Sequence, residues 1–138
     1  MSDADTVESY LIQTGTSHEK IDDTTWVVQL DDERHSRIAV KIQAPILLFS
    51  TSIFEVLPET EDREGLFRTL LELNSELLHG AYALQERRVV LSGAQQLESV
   101  DLSEFQATLD DMGMALDNHL DKLVRWAPKA THRRAQKD

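Results

Sequence analysis

The apolar positions change period once within Leu66–Leu91, LFRTLLELNSELLHGAYALQERRVVL. Leu66, Phe67, Leu70, Leu71, Asn74, Leu77 and Leu78 recur at i, i+3 and i+4, which predicts one face of an amphipathic helix. Gly80 follows His79 as the expected stop, because glycine takes positive φ at little cost. Beyond it, Ala81–Leu84 and Val89–Leu91 flank the polar Gln85-Glu86-Arg87-Arg88, a strand–turn–strand pattern.

The remaining elements fall on either side of this unit. Val7, Tyr10 and Leu11 share one side of a short helix over Asp5–Thr14, closed by Gly15. Trp26, Val28 and Leu30 alternate with Thr25, Val27 and Gln29; after the charged Asp31–His35 connection, Ile38, Val40 and Ile42 alternate with Arg37, Ala39 and Lys41. Two half-exposed antiparallel strands are expected, the second broken by Pro45, which lacks an N–H for the ladder. Ile46–Leu57 departs from simple alternation. Ile46, Leu48, Phe54 and Val56 point one way, and Leu47, Phe49, Ile53 and Leu57 the other. Such a strand is covered on both faces, by the chain's own helices and by a second subunit or partner. It is otherwise sandwiched within one chain, or it carries a bulge near Ser50–Ser52 that switches faces.

An acidic run, Glu59–Glu64, leads into the central helix, where negative charge suits the positive end of the helix dipole. Asp101-Leu102-Ser103-Glu104 reads as a helix N-cap with a reciprocal acid. The helix it opens aligns Phe105, Leu109, Met112, Leu116, Leu120 and Leu123, with Val124 adjacent, and ends near Trp126 and Pro128. The order is therefore α-β-β-β-α-β-β-α: an α+β domain with an antiparallel sheet over residues 1–126, followed by a basic, flexible tail over 127–138.

Charge sharpens this picture. The chain of 138 residues has a formal net charge of −11. Five of its 14 basic residues, Arg125, Lys129, Arg133, Arg134 and Lys137, lie at the C-terminal end, so residues 1–124 hold nine basic against 24 acidic side chains. Such a body repels nucleic-acid phosphates and anionic lipid. No apolar run approaches the ~20 residues of a membrane span, so no membrane insertion is expected. The acidic MSDADTVES is unlike a signal peptide, and the absence of cysteine fits a reducing cytoplasm.

Catalytic chemistry finds no support. His18-Glu19 lacks the second histidine of a zinc-binding helix, and Asp31-Asp32-Glu33 lacks the glycine and distal glutamate of a calcium loop. His119, between Asp117 and Asp121, reads as part of a solvated acidic helix face. Asp22-Asp23 and Asp110-Asp111 are sequence neighbours and so point apart, unlike a working acid–base pair. No nucleophile elbow or phosphate loop can be written. No catalytic residue, metal ligand or cofactor is expected, and the chain reads as a non-enzyme. Asn74, on the apolar face of the central helix, must find polar partners: the backbone of the following hairpin, or a partner surface. Trp26 and Trp126 read as core or core-edge residues.

Leu70-Leu71-Glu72-Leu73-Asn74, Gly80-Ala81-Tyr82-Ala83-Leu84, Arg88-Val89-Val90-Leu91 and Leu97-Glu98-Ser99-Val100-Asp101-Leu102 together resemble the type III secretion chaperone-like fold. Within it the sequence is similar to YbjN-like bacterial proteins and CesT-type secretion chaperones, over about Thr24 to Trp126. The turn Gln85-Glu86-Arg87-Arg88 departs from the Asp-Gly usual in these families. The resemblance implies a small, acidic, cytoplasmic, homodimeric protein without catalytic residues. It would bind protein through an apolar sheet surface, as a YbjN-like adaptor or regulator, or as a secretion chaperone holding an extended client segment. Phe49, Ile53 and Phe54 are the candidate partner or dimer contacts, being large and on the two-sided strand.

Overall fold

The computed structural model describes residues 2–31 and 34–128. Its elements are α1 (Asp3–Gln13), β1 (Ser17–Asp22), β2 (Thr25–Gln29), β3 (Arg37–Gln43), β4 (Ile46–Glu55), α2 (Arg63–Asn74), β5 (Ala81–Gln85), β6 (Arg88–Gln96) and α3 (Leu102–Leu123), with a short 3-10 turn over Val124–Trp126. The strands form one sheet in the order β1-β2-β3-β4-β6-β5, every neighbour antiparallel. The expected α+β architecture is present, with β1 added before the three strands read from the sequence. β1 escapes pattern reading because Ser17–Asp22 has no buried position to alternate; it is an exposed, polar edge strand.

One sheet face carries the core. Trp26, Val40 and Phe49 stand opposite one another across β2, β3 and β4, and Leu91 of β6 faces Tyr82 of β5. Val7 and Leu11 of α1, Leu66, Leu70 and Leu73 of α2, and the long stripe of α3 close over them. Burying each large side chain contributes about 1.5–3 kcal/mol. The other face presents Val27, Ala39, Leu48, Ser50 and Ser92 half-buried, with Lys41 and Ala94 exposed.

The central helix is shorter than its periodicity suggests. α2 ends at Asn74, and i→i−3 bonds tighten the exit: Ser75 to Glu72, Glu76 to Leu73, Leu77 to Asn74. Leu70 and Leu71 are one residue apart, about 100° around a helix, so only one can point into the core. Leu70 is buried and Leu71 is 71% exposed; Leu78, now in the loop, is 84% exposed. Gly80 is accordingly no helix stop. Its place is a close crossing: a Cβ there would sit 3.0 Å from the Ser92 carbonyl oxygen, and one on Gly93 would strike that of His79.

The alternation in β4 is resolved by a bulge. Ser52 pairs with Val90 and Phe54 with Val89, leaving Ile53 as the extra residue. Leu47 and Phe49 face the core before it, Phe54 and Val56 after it. The β5–β6 hairpin turns on Glu86 and Arg87 at φ 49° and 75°, a two-residue turn with both central residues left-handed. A residue with a side chain costs roughly 1–2 kcal/mol there. The double replacement Glu86→Asn/Arg87→Gly should therefore raise stability by about 1 kcal/mol or more, after glycine's own entropic cost. Thermal unfolding followed by circular dichroism reads the gain; an unchanged or lower midpoint would refute it.

Candidate partner-binding site

The bulge has a second effect, on the edge of β4. Pairing with β3 ends at Ala39–Ser50, while pairing with β6 continues to Glu55–Arg88. Beyond Ser50, β4 is laddered to β6 alone, while β3 runs on two residues to Arg37. Beside the end of β4 are the last turns of α3 and the chain that follows them. Together they enclose an open cleft of about 550 Å³, with Ile53, Phe54 and Leu57 on one wall and Leu120, Leu123, Val124, Ala127 and Pro128 on the other.

Local chemistry holds both walls. Trp126 is buried, and its indole Nε1 donates to the Asp62 carbonyl at 3.0 Å, so the chain leaving α3 is anchored to the start of α2. The Arg125 guanidinium lies 4.5 Å over the indole ring, and Nη2 meets Asp62 Oδ2 at 3.3 Å. At the mouth, Arg34 from the β2–β3 loop donates to Asp121 Oδ1 at 2.8 Å, and Arg88 Nε donates to Ser52 Oγ at 2.6 Å. The charged lining is two arginines, Arg34 and Arg88, against Glu55 and Asp121. The cleft is thus apolar inside and balanced in formal charge at its rim. It can take up an apolar side chain, and it carries no nucleophile or acid–base pair.

The three residues singled out from the sequence separate here. Ile53, half-buried, and Phe54 line the cleft. Phe49 does not line it: it is fully buried in the core, its ring 5.5 Å from that of Phe105. Leu57, Leu120, Leu123, Val124, Ala127 and Pro128 were missed as a group, because nothing in sequence spacing brings α3 beside the end of β4. Ala127 and Pro128, read from the sequence as the start of a tail, are half-buried in this wall. The rest of that tail, residues 129–138, lies outside the described residues.

Two polar arrangements brace the same region. Asn74 Nδ2 donates to the Tyr82 carbonyl at 3.3 Å and its Oδ1 accepts from Tyr82 N–H at 2.6 Å, fixing β5 to α2 as the hairpin-bonding reading expects. His119 is buried at 2% exposure, not on a solvated acidic face; it lies three residues from Leu116 and four from Leu123, on the apolar stripe. Its Nδ1 is 2.8 Å from Tyr82 Oη and its Nε2 2.9 Å from Glu76 Oε1. Burial, and then the Glu76 charge, push the Tyr82 phenol above its ordinary pKa. A carboxylate only accepts, so Nε2–H donates to Glu76, and in the neutral ring Nδ1 then accepts from the Tyr82 hydroxyl. Asp111, by contrast with Asp110 beside it, turns inward and accepts from Leu78 and His79 N–H at 3.2 and 2.8 Å.

Among the described residues no three His, Asp or Glu side chains are grouped to hold a metal ion, and no helix is long and apolar enough to cross a membrane. A further exposed apolar surface lies on α2, where Phe67 and Leu71 are framed by Glu64, Arg68 and Glu72.

Comparison with known proteins accords with the fold and with the resemblance carried by the leucine–asparagine helix and its hairpin. The CesT_Tir_1 family model matches residues 1–129. No curated protein matches the chain. Among solved structures, one similar chain belongs to the heterodimeric ExoU–SpcU complex of the Pseudomonas aeruginosa type III secretion system. It has 18% identity, covers 88% of this chain and 97% of its own, and gives a TM-score of 0.62. Another is YbjN of E. coli, described as a putative transcription regulator: 15% identity, 86% and 92% coverage, TM-score 0.60. A third is in the structure of the Yersinia pestis type III secretion chaperone SycH with a fragment of YscM2: 13% identity, 91% and 100% coverage, TM-score 0.54.

Proposed function

The chain belongs to the CesT_Tir_1 family, and from that premise we propose that it is a non-enzymatic, cytoplasmic chaperone or adaptor that binds another protein as a homodimer. The observation that carries the reading is the apolar cleft at the end of β4, open to solvent yet framed by paired side chains that hold its shape. Partner contact falls to Ile53 and Phe54, with Phe49 supporting them from the core. This departs from a contact spread over the sheet face. Self-association falls to the outer face of α2, where Phe67, Leu71 and the nearby Leu78 expose apolar surface that a second copy would bury.

Similarity to the chaperone complexes favours a client held as an extended segment; similarity to YbjN favours a regulator that docks on a folded partner. Tagged protein recovered from its native lysate distinguishes the two. One stoichiometric co-purifying protein, with a bound segment that resists protease only in the complex, identifies a chaperone. A folded partner whose whole domain is retained identifies an adaptor. Recovery of no stoichiometric protein would defeat both. Light scattering should give twice the monomer mass, falling to the monomer for Leu71→Asp. A monomeric wild type at high micromolar concentration would remove the dimer.

A further inference from the structure

Upstream of the apolar cleft, α3 borders a second open cavity of about 770 Å³, walled by the α1–β1 turn, the end of β2 and the loop residue His35. Nothing in the protein-binding reading uses it. We propose that this cavity binds a linear aliphatic polyamine, with one terminal ammonium at Asp110, the other at Asp117 and the methylene chain between them.

The lining fixes the sign of the occupant's charge. Asp31, Asp110 and Asp117 face the cavity beside His35, and no lysine or arginine does, so a cation is favoured there. Spacing then decides what kind of cation. Among the described residues no three acids or histidines are grouped to hold a metal ion, so the positive charge has to be divided between separate points. Asp110 and Asp117 stand seven residues apart on α3, which is two turns: they share one face, roughly 10 Å apart along the axis. The surface between them is apolar. Gly113 offers no side chain, Leu30 Cδ1 lies 2.9 Å from where its Cβ would stand, and Met114 is 64% exposed at the rim. Methylenes suit that stretch as ammoniums suit its two ends. Each ammonium has three donors and no acceptor, and Ser17, Gln29 and Gln106 bring further acceptor oxygens to the same cavity. Asp117 supplies an independent sign: its Oδ1 is buried and has no hydrogen-bond partner among the described residues. A carboxylate left uncompensated in this way is costly, and a cation beside it offsets that cost. Asp31, just beyond β2, provides a third negative charge for a polyamine with an internal amine.

The test titrates the full-length chain with spermidine, whose terminal ammoniums stand about two helical turns apart when extended, and with the shorter putrescine. Calorimetry should show saturable binding of one spermidine per chain. Putrescine should bind about fivefold more weakly, because it cannot engage both carboxylates at once. Asp110→Asn/Asp117→Asn should weaken spermidine roughly tenfold or more. Glu59→Gln/Glu61→Gln removes the same charge at two exposed positions elsewhere and should change affinity less than about twofold. Met114→Lys sets a tethered ammonium at an exposed position on the rim and should also weaken spermidine roughly tenfold, which keeps the test open if the asparagine pair fails to fold. Backbone amide resonances should shift on titration over Gln106–Asp117 and at Asp31. Equal weakening by the two acid-removing pairs, equal affinity for the two amines, or no saturation at millimolar concentration would each overturn the proposal. A peptide carrying two lysines that binds more tightly than spermidine and shifts the same amides would also overturn it, and would assign the cavity to lysines of a protein partner.

Discussion

Replacing Phe49 by Ala is expected to destabilise the protein by about 3–5 kcal/mol, the range for emptying a fully buried aromatic site. Phe49 is 0% exposed, stands between Val40 and Gly93 across three strands, and packs its ring against Phe105 of α3. A cavity here would separate the sheet from the helix that covers it, between Val40 and Gly93 on the sheet and Phe105 on α3. Since whole domains are stable by roughly 5–15 kcal/mol, the variant should sit close to its unfolding threshold. Phe49→Asp should not fold, because an unpaired carboxylate would be buried in an apolar core. Urea titration followed by circular dichroism gives the number. A loss under about 1 kcal/mol would mean that Phe49 is a surface contact rather than a core residue.

The second large effect concerns Asn74. Asn74→Ala removes two bonds at once and leaves both Tyr82 backbone groups, N–H and C=O, without their partners at the start of an edge strand. Each unsatisfied group costs about 1–3 kcal/mol when it is sheltered from water, so a loss of about 2–4 kcal/mol is expected. The damage should be directional. Tyr82 also bonds His119, and His119 bonds Glu76, so displacement of β5 would undo the buried link between α3 and the loop after α2. Hydrogen exchange should therefore quicken over Ala81–Gln85 well before it does in β2 or β3. Asn74→Asp keeps an acceptor for Tyr82 N–H but sets a second carboxylate oxygen against the Tyr82 carbonyl, so it should destabilise the protein as well. Uniform exchange throughout the sheet in Asn74→Ala would show that the amide does not hold β5 in particular.

Much of the fold is legible in the chain because local pattern and tertiary packing agree. Ile38, Val40 and Ile42 alternate in sequence, and the first two are buried as that alternation demands. The α3 stripe from Phe105 to Leu123 is read correctly to within a residue, capping box included. Asn74 is legible for another reason: a lone amide on an apolar face must be satisfied, and the nearest backbone is the hairpin beyond it. Reading fails where burial has no periodic signature. β1 has none to offer, and Leu71 and Leu78 differ from Leu70 and Leu77 only in direction, which spacing alone blurs. His119 lies on the apolar stripe with Leu116 and Leu123, whereas its sequence neighbours Asp117 and Asp121 suggest a solvated face. The cleft is the deepest failure. Its two walls come from β4 and from the end of α3, more than sixty residues apart, and only the assembled sheet sets them face to face.

Ile53 stands outside the ladder that surrounds it, since Ser52 and Phe54 pair with adjacent residues of β6. Removing it on paper leaves an uninterrupted strand in which Leu47, Phe49, Phe54 and Val56 all still face inward. The residue is in that sense an insertion the fold does not require. Gain or loss of a single codon at this point would switch the cleft wall on or off while leaving the hydrophobic core in phase. Binding capacity in chains of this architecture can therefore diverge by a change in strand length alone, without any substitution among the residues that hold the domain together.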